Sequence, residues 1–272
     1  MPDLPQAAAL LARVSDTPRL DAELLLACSL SVPRETLLLT HPLPEGNPRF
    51  AELVARRLRG EPISYLLEKQ GFWSIELRVT PAVLIPRPDS ETLLEAAVER
   101  FGAAGPARVL DLGTGSGALL LAALAQWPAA TGLGIDRSGE ALAVAAGNAR
   151  ALGLADRAVI HAGDWGQGVS ERFDLILCNP PYVEEGAALN AQVRDWEPHG
   201  ALFAGDDGLD AYRTLVPQLP PLLAPGGMVA LEIGWTQGAA VGALANSVGL
   251  NASIRKDLGG RDRCLVLSHR CK

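Results

Sequence analysis

The sequence predicts an α/β protein with a mostly parallel sheet, preceded by a small helical bundle. From Asp89 onward, short apolar strand-like runs alternate with helical stretches, the pattern of βαβ units joined by right-handed crossovers. A glycine-rich turn, Gly113-Thr114-Gly115-Ser116-Gly117, separates one such strand from an Ala/Leu-rich helix. Residues 1 to 70 carry no strand signal; their apolar residues are grouped as on short helices and punctuated by prolines.

The elements follow in order. Leu10-Leu11-Val14, Leu24-Leu25-Leu26, Leu37-Leu38-Leu39 and Leu53-Val54-Leu58 read as apolar helix faces, enough for a bundle of four or five helices. Pro18, Pro33, Pro42-Leu43-Pro44 and Pro48 suit first turns or connections. Residues 71–88 form a linker in which Phe72, Ser74 and Glu76 alternate with Ile75, Leu77 and Val79, as in a hairpin. Residues 89–272 hold the sheet. Its strands are expected over 108–112, 131–135, 158–161 and 173–178, with a helix from 118 to about 125. Pro225-Gly226-Gly227 reads as a sharp turn before a strand over 228–233. Residues 252–255 and 264–267 make a closing pair around the turn 259–262.

The chemistry concentrates after strand 173–178, at Asn179-Pro180-Pro181-Tyr182. Two successive prolines donate no backbone hydrogen bonds, so the strand stops and a stiff loop follows. Asn179 offers a carbonyl acceptor and an NH2 donor on a short stem, suited to gripping another planar amide or an amino-substituted base. Tyr182 supplies a flat face to stack on that group. Together they are equipment for presenting an NH2 nitrogen to an electrophile.

The glycine loop allows close approach of a ligand to the backbone. With Ala118 it also fits the dinucleotide fingerprint, so by itself it does not separate a nicotinamide enzyme from a methyltransferase. Asp136 ends the next strand, 25 residues after Asp111, where a carboxylate can accept from a ribose diol. Trp165 follows a further strand and is placed to stack on an adenine ring, with Asp164 as an acceptor for its exocyclic amine. Each motif follows a strand, so all converge at the carboxyl edge of the sheet.

Composition narrows the function classes. With 272 residues, 48% hydrophobic, the chain can bury one large core and a second small one. Net charge is −7, from 24 basic and 31 acidic residues, which disfavours a duplex DNA binder and suits a basic protein partner. The densest basic run, Arg56-Arg57-Leu58-Arg59, is read as the solvated side of a helix. Cys28, Cys178, Cys264 and Cys271 lack metal or disulfide spacing, and the histidines are equally dispersed, so no metal is expected. No apolar run is long enough to span a membrane, and the N-terminus has no secretory pattern, so the chain reads as soluble and cytoplasmic. A monomer is the expected state.

These residues resemble the class I methyltransferases that use S-adenosylmethionine, and among them the release-factor glutamine methyltransferases (the PrmC/HemK family). Besides Asp111-Leu112-Gly113-Thr114-Gly115-Ser116-Gly117 and Asn179-Pro180-Pro181-Tyr182, the likeness includes Gly60-Glu61-Pro62-Ile63-Ser64-Tyr65, Leu84-Ile85-Pro86-Arg87-Pro88-Asp89-Ser90-Glu91, Glu197-Pro198 and Gly205-Asp206-Asp207-Gly208-Leu209-Asp210. Glu68 departs from a usual glycine and Gly71 from a common glutamate. The resemblance implies a Rossmann-like, seven-stranded sheet whose last strand is antiparallel. It implies S-adenosylmethionine as cofactor, held by Gly113, Thr114, Gly115, Ser116 and Gly117, by Asp136 at the ribose, by Trp165 at the adenine, and by Asn179 beside the sulfonium. It implies N5-methylation of the glutamine in the Gly-Gly-Gln motif of peptide chain release factors. Asn179 is then the catalytic residue, and Pro180, Pro181 and Tyr182 complete the substrate grip. Residues 1–70, which lack any ligand motif and join through the hairpin, are expected to bind the protein substrate. The alternatives are a ribosomal-protein glutamine methyltransferase and a DNA adenine-N6 methyltransferase; the 84–91 stretch favours the release-factor branch.

Overall fold

The computed structural model describes residues 2–39 and 46–270. Pro42, Leu43, Pro44 and Cys271 lie outside the described residues. Contacts divide the chain into two compact units, Met1–Lys69 with Leu189–Trp196, and Gln70–Ala188 with Glu197–Lys272.

The first unit is helical. Helix α1 (Leu4–Leu11) begins at a capping box in which Asp3 accepts from the Gln6 N–H and the Gln6 side chain accepts from the Asp3 N–H. Helix α2 (Pro18–Leu30) opens on a proline. After α3 (Arg34–Leu39), α4 (Pro48–Leu58) also opens on one, with Asn47 Oδ1 accepting from the Phe50 N–H at 3.0 Å. Helix α5 (Ile63–Leu67) follows. Leu4, Leu11, Leu25, Leu26, Phe50, Leu53, Val54 and Leu66 meet in one apolar core. Within this unit, residues 189–196 reach back: Gln192 Nε2 donates to the Val14 carbonyl at 3.1 Å.

The basic run at 56–59 is a correction to the expectation of a solvated face. Arg57 is only 5% exposed. Its Nε donates to Asp21 Oδ2 at 2.8 Å and its Nη1 to the Glu61 carbonyl at 3.1 Å. Helical spacing explains this, because position 57 continues the stripe of Phe50, Leu53 and Val54. The same unit rationalises one family departure. Glu68 caps α5 with φ +53°, a left-handed conformation that glycine adopts freely and a side chain resists.

The second unit begins with a hairpin of β1 (Lys69–Phe72) and β2 (Ile75–Arg78), followed by a 3-10 turn over Pro88–Ser90 and α6 (Glu91–Phe101). The alternating units are β3 (Arg108–Leu112), α7 (Ala118–Gln126), β4 (Thr131–Asp136), α8 (Gly139–Ala151), β5 (Ala158–Ala162) and β6 (Phe173–Cys178). After α9 (Ala191–Trp196), which belongs to the first unit, come α10 (Asp210–Leu215), α11 (Leu219–Leu222), β7 (Leu223–Glu232), α12 (Gly238–Ser247), β8 (Leu250–Lys256) and β9 (Asp262–His269).

The main sheet orders its seven strands β5-β4-β3-β6-β7-β9-β8. Strands β3 to β7 run parallel; β9 is antiparallel to both β7 and β8. This is the expected mostly parallel sheet with an antiparallel last strand. One layer buries Leu93, Leu94, Leu120, Leu121, Leu124 and Trp127; the other buries Ile176, Tyr212, Leu215, Leu219, Val241 and Leu265. The seventh element corrects the expected turn at 225–227. Strand β7 already starts at Leu223, which pairs with Phe173, and Met228 pairs with Leu175. The proline and glycines are absorbed as an irregularity inside the strand rather than preceding it.

Registry fixes the site. Leu112 lies beside Ile135 and Cys178, and Cys178 beside Leu231. The residues just beyond these positions therefore leave the sheet at one edge.

Candidate active site

A cavity of about 580 Å3 opens at that edge, lined by Gly113, Thr114, Gly115, Ser116, Asp136, Asp164 and Trp165 on one side and by Ser90, Asn179 and Pro181 on the other. Phe72, Leu84, Pro86 and Phe203 add apolar wall. Its size falls in the range of small-molecule and cofactor sites, roughly 300–1,000 Å3.

The glycine loop takes its shape from three left-handed residues, Gly113, Gly115 and Gly117, with φ of +75°, +55° and +84°. The Gly113 and Thr114 N–H groups both donate to the Ile135 carbonyl, tying the loop to β4. Trp165 leans over it: a Cβ at Gly113 would stand 3.3 Å from the indole ring. Thus Trp165 covers the loop and lines the cavity, and its own φ of +53° holds it there. Gly117 turns the chain into α7 and does not line the cavity.

Two carboxylates serve this loop. Asp136 Oδ2 accepts from the Gly115 N–H and Oδ1 from the Ser138 N–H, each at 2.9 Å. Asp111, 1% exposed, accepts from the Thr114 hydroxyl at 2.6 Å and from the Leu120 N–H at the start of α7. Burial pushes the Asp111 carboxyl up to about 7, against the pull of those two donors. Its Oδ1 is buried without a partner and the residue lines the cavity. Asp164, by contrast, is exposed and accepts from Gln167 Nε2.

On the other wall, Asn179 Nδ2 donates to Ser90 Oγ at 3.1 Å. The acceptor Asn179 has left to offer is therefore Oδ1. Pro180 is buried behind the cavity wall, and Tyr182 does not line it either. The Tyr182 phenol instead points inward, donating to Glu232 Oε1 at 3.3 Å and accepting from Arg263 Nη1 at 3.4 Å. The loop carrying Ser90 is pinned from the far side: buried Glu197 accepts from the Ile85 N–H at 3.1 Å and pairs with Arg87.

Sequence reasoning missed Ser90, Glu232 and Arg263 as parts of this site. A signal existed for Glu232, the lone charge in the apolar run 228–233. Ser90 stands inside the 84–91 stretch, and nothing local pairs it with Asn179. Among the described residues no group of His, Cys, Asp and Glu is arranged to hold a metal, and no helix is long and apolar enough to cross a membrane.

Two family models match the chain. Residues 4–67 match the family model of the PrmC N-terminal domain, and residues 89–195 that of the methyltransferase small domain. A release factor glutamine methyltransferase of Cereibacter sphaeroides is 48% identical over 250 residues, spanning 89% of this chain and 88% of that protein. One of Rhodospirillum rubrum is 45% identical over 261 residues, spanning 94% and 80%. A solved methyltransferase from Pyrococcus furiosus superposes with a TM-score of 0.55 at 19% identity, covering 80% of this chain and 97% of that one, which is a likeness of fold.

Proposed function

Because the chain belongs to the release factor glutamine methyltransferase family, we propose that it methylates N5 of the glutamine in the Gly-Gly-Gln motif of a peptide chain release factor, with S-adenosylmethionine as cofactor. The reaction then belongs to the cytoplasm. The observation that carries the chemical part is the Asn179 amide, tied by Nδ2 to Ser90 and left with Oδ1 for a substrate.

The cavity fits the cofactor. Backbone at Gly113, Thr114, Gly115 and Ser116 admits close approach, and the unpartnered buried Asp111 Oδ1 is an acceptor awaiting a donor. Asp136 is suited to the ribose hydroxyls and Trp165 to the adenine face, with Gly117 setting the turn. When bound, S-adenosylmethionine supplies a methyl group already activated on a sulfonium.

The chain's own residues have to supply the nucleophile's geometry. A carboxamide nitrogen is a poor nucleophile because its lone pair is delocalised into the carbonyl. Asn179 Oδ1 accepts from an N–H of the substrate amide, holding its nitrogen toward the cavity and favouring pyramidalisation. Orientation of this kind is worth up to about 7–11 kcal/mol, and acceptors that strengthen as positive charge grows on nitrogen add to it. Pro181 stiffens the grip, and Tyr182 braces it from behind through Glu232 and Arg263. The helical unit, residues 1–69 with 189–196, is the proposed contact for the release factor, since it carries no small-ligand motif.

Incubation with labelled S-adenosylmethionine and release factor, ribosomal protein or duplex DNA tests the reading: label is expected on the release factor, and label confined to either rival overturns it. A second expectation concerns the cofactor. Asp136→Ala removes a charged acceptor and also frees the Gly115 N–H, so cofactor affinity should weaken by about 1.5–3 kcal/mol. Calorimetry showing unaltered affinity would contradict the ribose assignment.

A further inference from the structure

Gln237 stands just before α12, 9% exposed, and does not line the cavity. Its Oε1 accepts from the Gly234 N–H at 3.0 Å. Its Nε2 donates to the Tyr182 carbonyl at 3.0 Å and to the Gly208 carbonyl at 3.3 Å. An N–H on one side and two carbonyls on the other fix which way the amide faces. A side-chain NH2 carries two hydrogens, so each carbonyl takes one.

The two carbonyls belong to the loop that begins at Asn179 and to the 205–210 stretch, a motif to which the chemistry so far gives no task. Just beyond Tyr182 the chain pairs with the approach to that motif. The Val183 N–H donates to the Leu202 carbonyl, the Ala204 N–H to the Val183 carbonyl and the Glu185 N–H to the Gly205 carbonyl, each at 2.9 Å. Gly208 then comes close against Tyr182. Its φ is +68°, and a Cβ there would stand 2.4 Å from the Tyr182 carbonyl oxygen and 2.8 Å from Gln237 Nε2. A residue without a side chain lets both carbonyls share the one amide.

The Tyr182 carbonyl bears on Asn179 because the two residues between them are prolines. Their rings lock φ and leave no N–H to tie the backbone elsewhere. A stiff segment held at its far end aims its near end. The Tyr182 phenol is held by Glu232 and Arg263, which fixes the ring; Gln237 fixes the backbone. Carbonyl oxygens converging on one point repel unless a donor stands between them. Loss of the Gln237 NH2 therefore pushes Tyr182 away from Gly208 and turns Asn179 with it.

We propose that Gln237 is a positioning residue: by bridging the Tyr182 and Gly208 carbonyls it holds the 179–182 loop so that Asn179 Oδ1 meets the substrate carboxamide. This rests on the reading of Asn179 as the carboxamide grip. Gln237 lies outside the cavity lining, so it acts through the loop alone, and no proton passes through it.

The test measures methylation of release factor by wild type, Gln237→Glu and Gly208→Ala, each variant alone and combined with Asn179→Ala. Gln237→Glu keeps the acceptor facing the Gly234 N–H and replaces the bridging NH2 with an oxygen. Gly208→Ala leaves Gln237 in place and forces the same two carbonyls apart. Each alone should lower kcat about tenfold or more. The KM for release factor and the calorimetric cofactor affinity should stay within about twofold of wild type. Gln237→Met, which has no donor and buries no charge, should lose as much and replaces Gln237→Glu if that variant does not fold. Once the Asn179 amide is gone there is nothing left to position, so neither substitution should lower kcat further in the Asn179→Ala background. A role in folding alone would give independent losses that multiply. A kcat within about twofold of wild type in the Gln237 variants, or a loss as large in the Asn179→Ala background as in wild type, overturns the proposal and leaves the functional reading standing. A wild-type enzyme that does not methylate release factor overturns that reading, and the proposal with it.

Discussion

Asn179→Ala is expected to lower kcat by about 100-fold or more, the effect of losing one preorganised transition-state hydrogen bond, while cofactor affinity changes little. The fold should survive, because the strand end is made by Pro180 and Pro181 and by the apolar run of β6, whose Leu175, Ile176, Leu177 and Cys178 are fully buried. Asn179→Asp is the sharper variant. It keeps an acceptor toward the cavity but has no hydrogen for Ser90 Oγ, where Nδ2 now donates. We therefore expect Asn179→Asp to be nearly as inactive as Asn179→Ala. Near-normal kcat in the alanine variant, with folding checked by circular dichroism, would show that the amide grip is not the source of rate.

Asp21→Ala should have the largest effect on stability. Arg57 and Asp21 pair at 2.8 Å with side chains 6% and 5% exposed. Removing one partner leaves a buried charge, which costs about 3–5 kcal/mol, against a total of roughly 5–15 kcal/mol for a folded domain. The Arg57 bonds to the Glu61 and Val14 carbonyls are too few to replace the lost counter-charge. The helical unit should then melt at a much lower temperature, while calorimetric cofactor affinity stays as in wild type. If that unit holds the release factor, methylation of the intact factor should collapse in parallel once it unfolds. Unchanged melting would contradict the ion-pair account; lost melting with unchanged turnover would contradict the partner role.

The two sites behind these predictions were legible to different degrees. Strand β6 could be read to the residue, because an unbroken apolar run ends at two prolines that cannot continue a ladder. Strand β7 could be read only from Met228, since Pro225, Gly226 and Gly227 carry turn chemistry that tertiary pairing with β6 overrides. Arg57 was hidden by its neighbours: a run of arginines suggests solvent, yet its spacing from Phe50, Leu53 and Val54 already placed it on the apolar stripe. The return of residues 189–196 to the helical unit left no trace, because α9 buries none of its residues and Gln192 reaches that unit through a backbone carbonyl, which carries no sequence signal. The candidate site divides likewise. Asp136 and Asn179 are strand-end residues, and strand ends show in a pattern. Ser90 and Asn179 are 89 positions apart, and their meeting depends on tertiary placement, which no local period encodes.

The central claim is that one glutamine nitrogen is the methyl acceptor. Tandem mass spectrometry of a release factor, after incubation with the enzyme and S-adenosylmethionine, tests it most directly. The account predicts a single added methyl group, located by fragmentation on the side-chain nitrogen of the glutamine in the Gly-Gly-Gln motif, and none with Asn179→Ala. A methyl group on any other residue, or an unmodified factor in the presence of cofactor-saturated enzyme, would contradict it.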